Sequence, residues 1–261
     1  MSQGTRPPGA ENEQQAAAWV RRMFDAVAPR YDLLNHLLSF NIDKAWRKRL
    51  MTKVRPVLSR GDAAVLDLCC GTGDVLLEMQ QQSAVPMLGA DFSHPMLVSA
   101  KTKLDRFNRP SALIEADAMR LPIRDGWLDL ITIAFGFRNL ANYEAALREL
   151  RRVLKPDGAL AILEFSHPQG WLTRSSYGFY SKVLLPLIGG LISGSREAYT
   201  YLPESIRKFP RAVELQQMME QAGFEDISFE LLTGGIAALH IGRRPEAPGS
   251  SEGLSQYTDR E

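Results

Sequence analysis

The sequence predicts an α/β fold in which one open, mostly parallel sheet is flanked by helices. Three observations carry that prediction. Apolar runs of strand length recur between Val65 and Leu163, most of them end in a glycine or an acid before a helical pattern resumes, and the first runs directly into a glycine turn. That first unit is Val65-Leu66-Asp67-Leu68-Cys69-Cys70-Gly71-Thr72-Gly73-Asp74: a buried strand, a turn, and the start of a helix reaching Gln82. Gly71 and Gly73 can take backbone conformations closed to other residues and let main chain approach a ligand closely.

The next run, residues 85–90, ends in Asp91, twenty residues beyond Gly71. A carboxylate at this strand end accepts both vicinal hydroxyls of a ribose, which is why nucleotide-binding sheets place an acid there. Ser93 and Pro95 stand where they would cap and open a helix containing Met96 and Leu97. A third strand, residues 111–116, ends in Asp117-Ala118, where an adenine edge would lie. The fourth, residues 128–134, opens into Phe135-Gly136-Phe137-Arg138-Asn139, and the fifth, residues 159–163, opens into Glu164-Phe165-Ser166. Five strand ends converge on one edge, where open parallel sheets bind ligands. A dinucleotide site would want a third glycine at position 76, which is Leu76. The departure points away from NAD and FAD and toward a ligand with a nucleoside but no pyrophosphate, S-adenosylmethionine being the commonest on such a unit.

Several segments now carry a resemblance. They are residues 23–32 (Met-Phe-Asp-Ala-Val-Ala-Pro-Arg-Tyr-Asp), the glycine turn, Ile131 to Asn139, Arg152 to Gly158, Tyr199 to Arg207, and Leu232 to His240. Over residues 19–243 the chain resembles the UbiE/MenG quinone-biosynthesis C-methyltransferases, within the S-adenosylmethionine-dependent class I methyltransferases. The glycine turn and Leu-Lys-Pro-Asp-Gly are common to that whole class, whereas the first, third and last segments are specific to the family. The resemblance implies a Rossmann-like sheet, mostly parallel with an antiparallel C-terminal strand, preceded by N-terminal helices and with a helical insertion at about residues 166–211 before the last strands. It implies cofactor contacts at Thr72, Asp91, Asp117, Ala118 and position 134, beside the glycines Gly71 and Gly73. Two positions depart from the family: Cys70 often corresponds to glycine, and Ala134 often to serine, so that only main chain is left for a contact at 134.

The implied reaction is carbon methylation of a polyprenyl hydroquinone, demethylmenaquinol to menaquinol. The methoxylated polyprenyl benzoquinol of ubiquinone synthesis would be the same reaction on a smaller ring. A phenolic hydroxyl with a pKa of about 10 loses its proton wholly or in part, and electron density flows to the ortho carbon. An oxidised quinone ring is too electron-poor to do this. Arg138, just beyond the fourth strand, is a candidate cation for a quinolate, or a partner for Glu164. Tyr201 and His240 are candidates for proton transfer, although one histidine on an apolar strand also suits a core position. A non-catalytic scaffold with this fold is the alternative class, and an O- or N-methyltransferase acting on a small polar metabolite leaves the apolar insertion unexplained.

Composition agrees with one catalytic domain. The 261 residues are 45% hydrophobic, enough for a sizeable core. Residues 1–18 and the Pro-, Gly- and Ser-rich stretch 244–261 read as disordered, leaving 19–243 as the domain. A net charge of +1 gives no field for nucleic acid, and no helix-turn-helix or RNA-binding motif is present. The two cysteines are adjacent, which excludes an ordinary disulfide between them, and they are too few for a metal site. With no signal peptide or long apolar run, a cytoplasmic setting is expected. Lys44, Arg47, Lys48, Arg49, Lys53, Arg55 and Arg60 form an acid-free cluster, read as a face for the anionic inner surface of a membrane or as a solvated helix with Trp46 and Leu50 turned inward. A homo-oligomer is compatible with the sequence. Within the insertion, Trp171, Tyr177, Phe179, Tyr180, Tyr199, Tyr201 and the apolar residues 183–192 suggest a lid and channel for a prenyl tail, or a packed helical layer. Trp19, Met23, Phe24 and Val27 share one face of a first helix that packs on the core or closes over the cofactor.

Overall fold

The computed structural model describes residues 4–28, 31, 41–109, 111–168 and 196–246. Among these, strands β1 (Val65–Leu68), β2 (Met87–Asp91), β3 (Ala112–Glu115), β4 (Leu128–Ala134), β5 (Leu154–Phe165), β6 (Glu225–Leu232) and β7 (Ala237–Arg243) form one sheet in the order β3-β2-β1-β4-β5-β7-β6. The first five are parallel to one another; β7 is antiparallel to both β5 and β6. The order runs outward from β1 to β3 on one side and from β4 to β5 on the other, so β1 and β4 flank a topological switch point, where a crevice opens beyond the strand ends.

The central strands are buried on both faces, as a parallel sheet covered by helices requires. Alternation divides their side chains. Leu66, Leu68, Ile131, Ile133, Leu160 and Ile162 share one core with α5 (Tyr143–Val153) and α7 (Ala212–Gln221), while Val65, Leu130, Ala161 and Leu163 share another with α2 (Ile42–Leu58) and α3 (Asp74–Gln82). Helix α5 shows how such a layer forms. Asn142 caps its first turn by accepting from Ala145 N, and Ala146, Leu147, Leu150 and Val153 place an apolar stripe against the sheet. Leu150→Ala would leave a cavity there at a cost of about 2–5 kcal/mol.

Three features differ from the sequence expectation. Strand β5 begins at Leu154, not at 159, because Leu154 pairs with Leu128 and the segment through Asp157 and Gly158 is held by Asp157 N to Arg244 O (2.8 Å) and Arg244 N to Gly158 O (2.9 Å). Residues 4–18, read as disordered, are packed on the body: Thr5 is 6% exposed, and Asn12 caps α1 (Glu13–Val27) by accepting from Gln15 N. Part of the cationic cluster is neutralised by acids of the same helix and of other elements. Arg47 is buried against Asp43, Glu78 (2.7 Å) and Asp74 (3.7 Å), Arg49 grips Glu230 with a two-pronged contact, and Arg60 meets Asp129 at 2.9 Å. Lys44, Lys48 and Arg55 remain on the exposed face of α2.

Of the expected insertion, helix α6 (Arg196–Lys208) is described. Trp171, Tyr177, Phe179, Tyr180 and residues 183–192 lie outside the described residues, as do 247–261 of the expected tail. Among the described residues no helix is long and apolar enough to cross a membrane.

Candidate functional site

A cavity of about 500 Å³ occupies the switch point. The end of β1 contributes Leu68, Cys69 and Gly71, and the end of β2 contributes Asp91 and Phe92. Residues 116–119 follow β3, and Ala134, Phe135 and Gly136 follow β4. Asn139, Leu140 and Ala141 complete the floor, and Gln14, Ala17, Ala18, Arg21 and Phe24 of α1 close the roof. The α1 residues recur at helical spacing next to the buried stripe Ala16, Val20, Met23 and Val27, so one helix packs and covers the site with adjacent faces.

Asp91 is the best-built carboxylate of the cavity. Its Oδ2 accepts from Gly71 N and its Oδ1 from Ser93 N, both at 2.9 Å, which fixes the plane of the group and leaves acceptor capacity toward the cavity. Burial pushes the carboxyl above its ordinary range, opposed by the N–H groups of Ser93, Gly71 and Phe92. Ser93 opens the following helix α4 (His94–Arg106) without a side-chain cap; its hydroxyl donates instead to Asp25 Oδ1 at 2.6 Å and ties α1 to the turn. Asp117 is shaped by a local turn, its Oδ1 accepting from Met119 N at 2.9 Å, and Ala118 lies beside it.

The other two residues of the glycine turn serve the fold. Gly73 has φ 84° and packs on Ala100, where a Cβ would come to 3.3 Å of the alanine methyl. Thr72 is buried, and its hydroxyl accepts from Lys103 Nζ at 3.0 Å, the same ammonium that meets Asp74 at 2.6 Å. Neither residue lines the cavity, whereas Gly71, Asp91, Asp117, Ala118 and Ala134 do.

Cys69 (φ 55°) and Phe135 (φ 59°) sit in the left-handed region at the ends of the two strands that flank the switch point. Each costs about 1–3 kcal/mol in a non-glycine residue. The strain at Phe135 is held by its N–H donating to Leu163 O (2.8 Å) and by ring contacts with Trp46 (5.9 Å) and Phe165 (5.0 Å). Burial, with Asp91, Asp67 and Glu164 nearby, pushes the Cys69 thiol well up, so it stays protonated.

The predicted catalytic residues lie beneath the floor. Arg138 is buried and paired with Glu164 at 2.8 Å; it also donates to the Phe135 carbonyl, and its guanidinium carbon lies 5.2 Å from the Phe165 ring centroid. Burial works against its charge, but Glu164, Tyr31 and Tyr201 outweigh that and hold it above its ordinary range. Tyr201 is also buried. Its hydroxyl lies 3.0 Å from Asn139 Oδ1 and 2.8 Å from Thr5 Oγ1, and burial raises its pKa, so at neutral pH it is a donor and not a base. Arg138 and Tyr201 do not line the large cavity; Asn139, between them and it, does. His240 belongs elsewhere. It pairs with Ile162 of β5, its Nε2 donates to Ala212 O at 2.9 Å, and burial pulls its pKa down to about 4, making it a neutral core histidine.

The residues absent from the sequence reading as site residues are Gln14, Ala17, Ala18 and Arg21 of α1, with Phe92 and Asn139. Two small residues beside each other on an amphipathic helix were a usable signal for α1; Asn139 had only its place beyond a strand end. The assembled cavity offers a carboxylate for vicinal hydroxyls, apolar walls at Phe92, Met96 and Met119, and one amide on the floor, a set suited to a nucleoside and an apolar second reactant.

Comparison with known proteins agrees with this geometry. A demethylmenaquinone methyltransferase of Thermus thermophilus is 48% identical over 224 residues, 85% of this chain and all of the relative. A ubiquinone/menaquinone biosynthesis C-methyltransferase of Geotalea uraniireducens is 41% identical over 86% of this chain and 96% of its own. Among solved structures, the [4+2]-cyclase SpnF superposes with a TM-score of 0.68 at 18% identity, covering 94% of this chain and all of that one, a likeness of fold alone. The sequence profile of the ubiE/COQ5 methyltransferase family matches residues 10–244, and the chain belongs to that family.

Proposed function

We propose that this chain transfers a methyl group from S-adenosylmethionine to a ring carbon of demethylmenaquinol, giving menaquinol. The observation that carries the reading is 48% identity along the whole length of a relative named demethylmenaquinone methyltransferase, in a chain whose cavity lies at the strand ends of a Rossmann-like sheet. The residues present fit the cofactor: Asp91 has acceptor capacity to spare for a ribose, Asp117 and Ala118 face the same space, and Phe92 and Met96 offer apolar walls. S-adenosylmethionine supplies a methyl group on a sulfonium centre, an electrophile for a carbon nucleophile.

The chain's own residues supply the rest. In this reading Asp91 holds the ribose, Gly71 gives close main-chain approach, and Ala134 contributes main chain only. Phe24, Tyr31 and Phe135 keep the cavity dry, which strengthens every polar contact within it. Cys69, held as a thiol, does not compete as a methyl acceptor. The Arg138–Glu164 pair and the protonated Tyr201 orient the floor, and Asn139 presents an amide toward the acceptor ring. A prenylated acceptor also implies work at a bilayer surface, and the exposed Lys44, Lys48 and Arg55 support contact with anionic lipid, at about 1 kcal/mol for each cation near the surface.

The test is transfer of labelled methyl to a demethylnaphthoquinone, with and without dithionite. Transfer only after reduction is expected, and equal rates in both samples would overturn the mechanism. The double name of the Geotalea relative makes a methoxybenzoquinol the natural second acceptor. Activity on that ring alone would reverse the choice of substrate.

A further inference from the structure

Residues 4–6 precede the stretch matched by the family profile, yet they pack directly behind the cavity wall, against Leu140 and Ala141. Gly4 lies so close to the Ala141 carbonyl that a Cβ would have no room. Thr5 N donates to Leu140 O at 2.8 Å, and Arg6 Nη1 to Ala141 O at 3.0 Å; both acceptor residues line the cavity. The Thr5 side chain continues inward, with its hydroxyl 2.8 Å from that of Tyr201, which lies 3.0 Å from Asn139 Oδ1.

The direction of this chain of hydrogen bonds is fixed by chemistry. A carbonyl oxygen only accepts, so Tyr201 gives its one proton to Asn139, and the Tyr201 oxygen must receive from Thr5. Turning the Asn139 amide over would bring its carbonyl to the Phe135 carbonyl oxygen, oxygen against oxygen. In the orientation present, Asn139 Nδ2 is the atom that stands 3.5 Å from it. The Asn139 plane is thereby set, with one N–H toward Phe135 O and the other left for an oxygen in the cavity that Asn139 lines.

We propose that the N-terminal strap is a positioning element for the acceptor: Thr5 acts through Tyr201 to hold the Asn139 amide as a donor to a ring oxygen of the quinol. The inference rests on the methyltransferase reading above. Without the Thr5 hydroxyl, a lone pair of a buried phenol goes unfilled and the orientation of the amide relaxes.

The test uses the full chain, S-adenosylmethionine and a reduced demethylnaphthoquinone, with Thr5→Val and Thr5→Ser made both in the wild type and in Asn139→Ala. Thr5→Val is expected to lower kcat/KM for the acceptor about tenfold, with Thr5→Ser restoring it, while the cofactor dissociation constant stays the same. In the Asn139→Ala background Thr5→Val should have no further effect, because its target is gone. A merely structural strap would give equal losses in both backgrounds, and that result overturns the proposal, as does a serine variant no better than valine. Should Thr5→Val not fold, Tyr201→Phe breaks the same chain and must show the same non-additivity with Asn139→Ala. Wild-type activity in the same series separates the two readings: an inactive wild type overturns the assigned reaction and this role with it, whereas an active wild type with additive losses overturns this role alone.

Discussion

Asp91 at the end of β2 and Glu164 near the end of β5 are both buried carboxylates at the ligand edge, and the two halves of the edge use them in opposite ways. Asp91 is fixed by main-chain N–H groups, keeps acceptor capacity and lines the cavity. Glu164 accepts from the Arg138 guanidinium, from Arg138 N and from Phe165 N, and it does not line the cavity. Peptide donors orient a carboxylate without neutralising it, whereas a guanidinium does both. The first half can bind, and the second can only support.

The comparison breaks first at Glu164. Glu164→Ala strands the Arg138 charge in a site where it is 6% exposed, and should cost about 3–5 kcal/mol in urea unfolding. Glu164→Gln keeps hydrogen-bond acceptance and should lose less. Equal stability of the alanine variant would mean that the pair is not supporting the floor.

A third carboxylate sharpens the contrast. Asp67 accepts from Thr132 Oγ1 at 2.8 Å, and burial, against that hydrogen bond, pushes its pKa up to about 7. Its contribution to stability is complete below the unfolded value of 3.8 and is lost as pH rises through 7, because the unfolded carboxyl ionises first. His240 acts in the opposite sense. Its folded pKa of about 4 lies below 6.5, so its contribution is complete above 6.5 and is lost as pH falls toward 4. Across their windows Asp67 is worth about 4 kcal/mol and His240 about 3 kcal/mol, and where the windows overlap the two oppose one another. Asp67→Asn should unmask the histidine, with stability rising by about 3 kcal/mol between pH 4 and 6.5. A profile as flat as the wild type would show that the two groups do not oppose each other.

The smallest effect is on binding. Asp91→Ala should weaken S-adenosylmethionine by about 1.5–3 kcal/mol, roughly tenfold to a hundredfold, as read by calorimetric titration. The unpaired Gly71 and Ser93 N–H groups should also lower its thermal midpoint, so affinity is compared well below the midpoint of the variant. Near-native affinity in a folded variant would remove Asp91 from the ribose.

The cofactor half was legible in the sequence because it is made of strand ends. Gly71, Asp91 and Asp117 each terminate an apolar run, and a parallel sheet brings such ends to one edge whatever else the chain does. The acceptor half is joined by contacts that leave no local pattern: Thr5 and Tyr201 are 196 residues apart, and Tyr201 and Asn139 are 62 apart. Arg138 was placed beyond the correct strand, but the short 3-10 turn Phe137–Asn139 carries it under the floor to Glu164, a rotation that neighbouring residue types do not encode. Thr72 and Gly73 belonged to the motif without belonging to the cavity, since a tight turn needs residues for its own construction. Pro7, Pro8 and Gly9 read as disorder, yet the strap before them is fixed by its partners elsewhere in the chain.

The place of β7 has a consequence in time. Among the described strands it is the last to be synthesised, yet it has neighbours on both sides, and of these strands it alone joins β6 to the rest of the sheet. On the ribosome, the twelve residues of β5 are complete while their outer edge has no partner, and that edge stays open until residues 237–243 emerge. A row of free N–H and C=O groups on a long, apolar strand is a template for other chains. That edge is exposed from the synthesis of Phe165 to that of Ala237, and the β6–β7 hairpin that covers it ends the exposure.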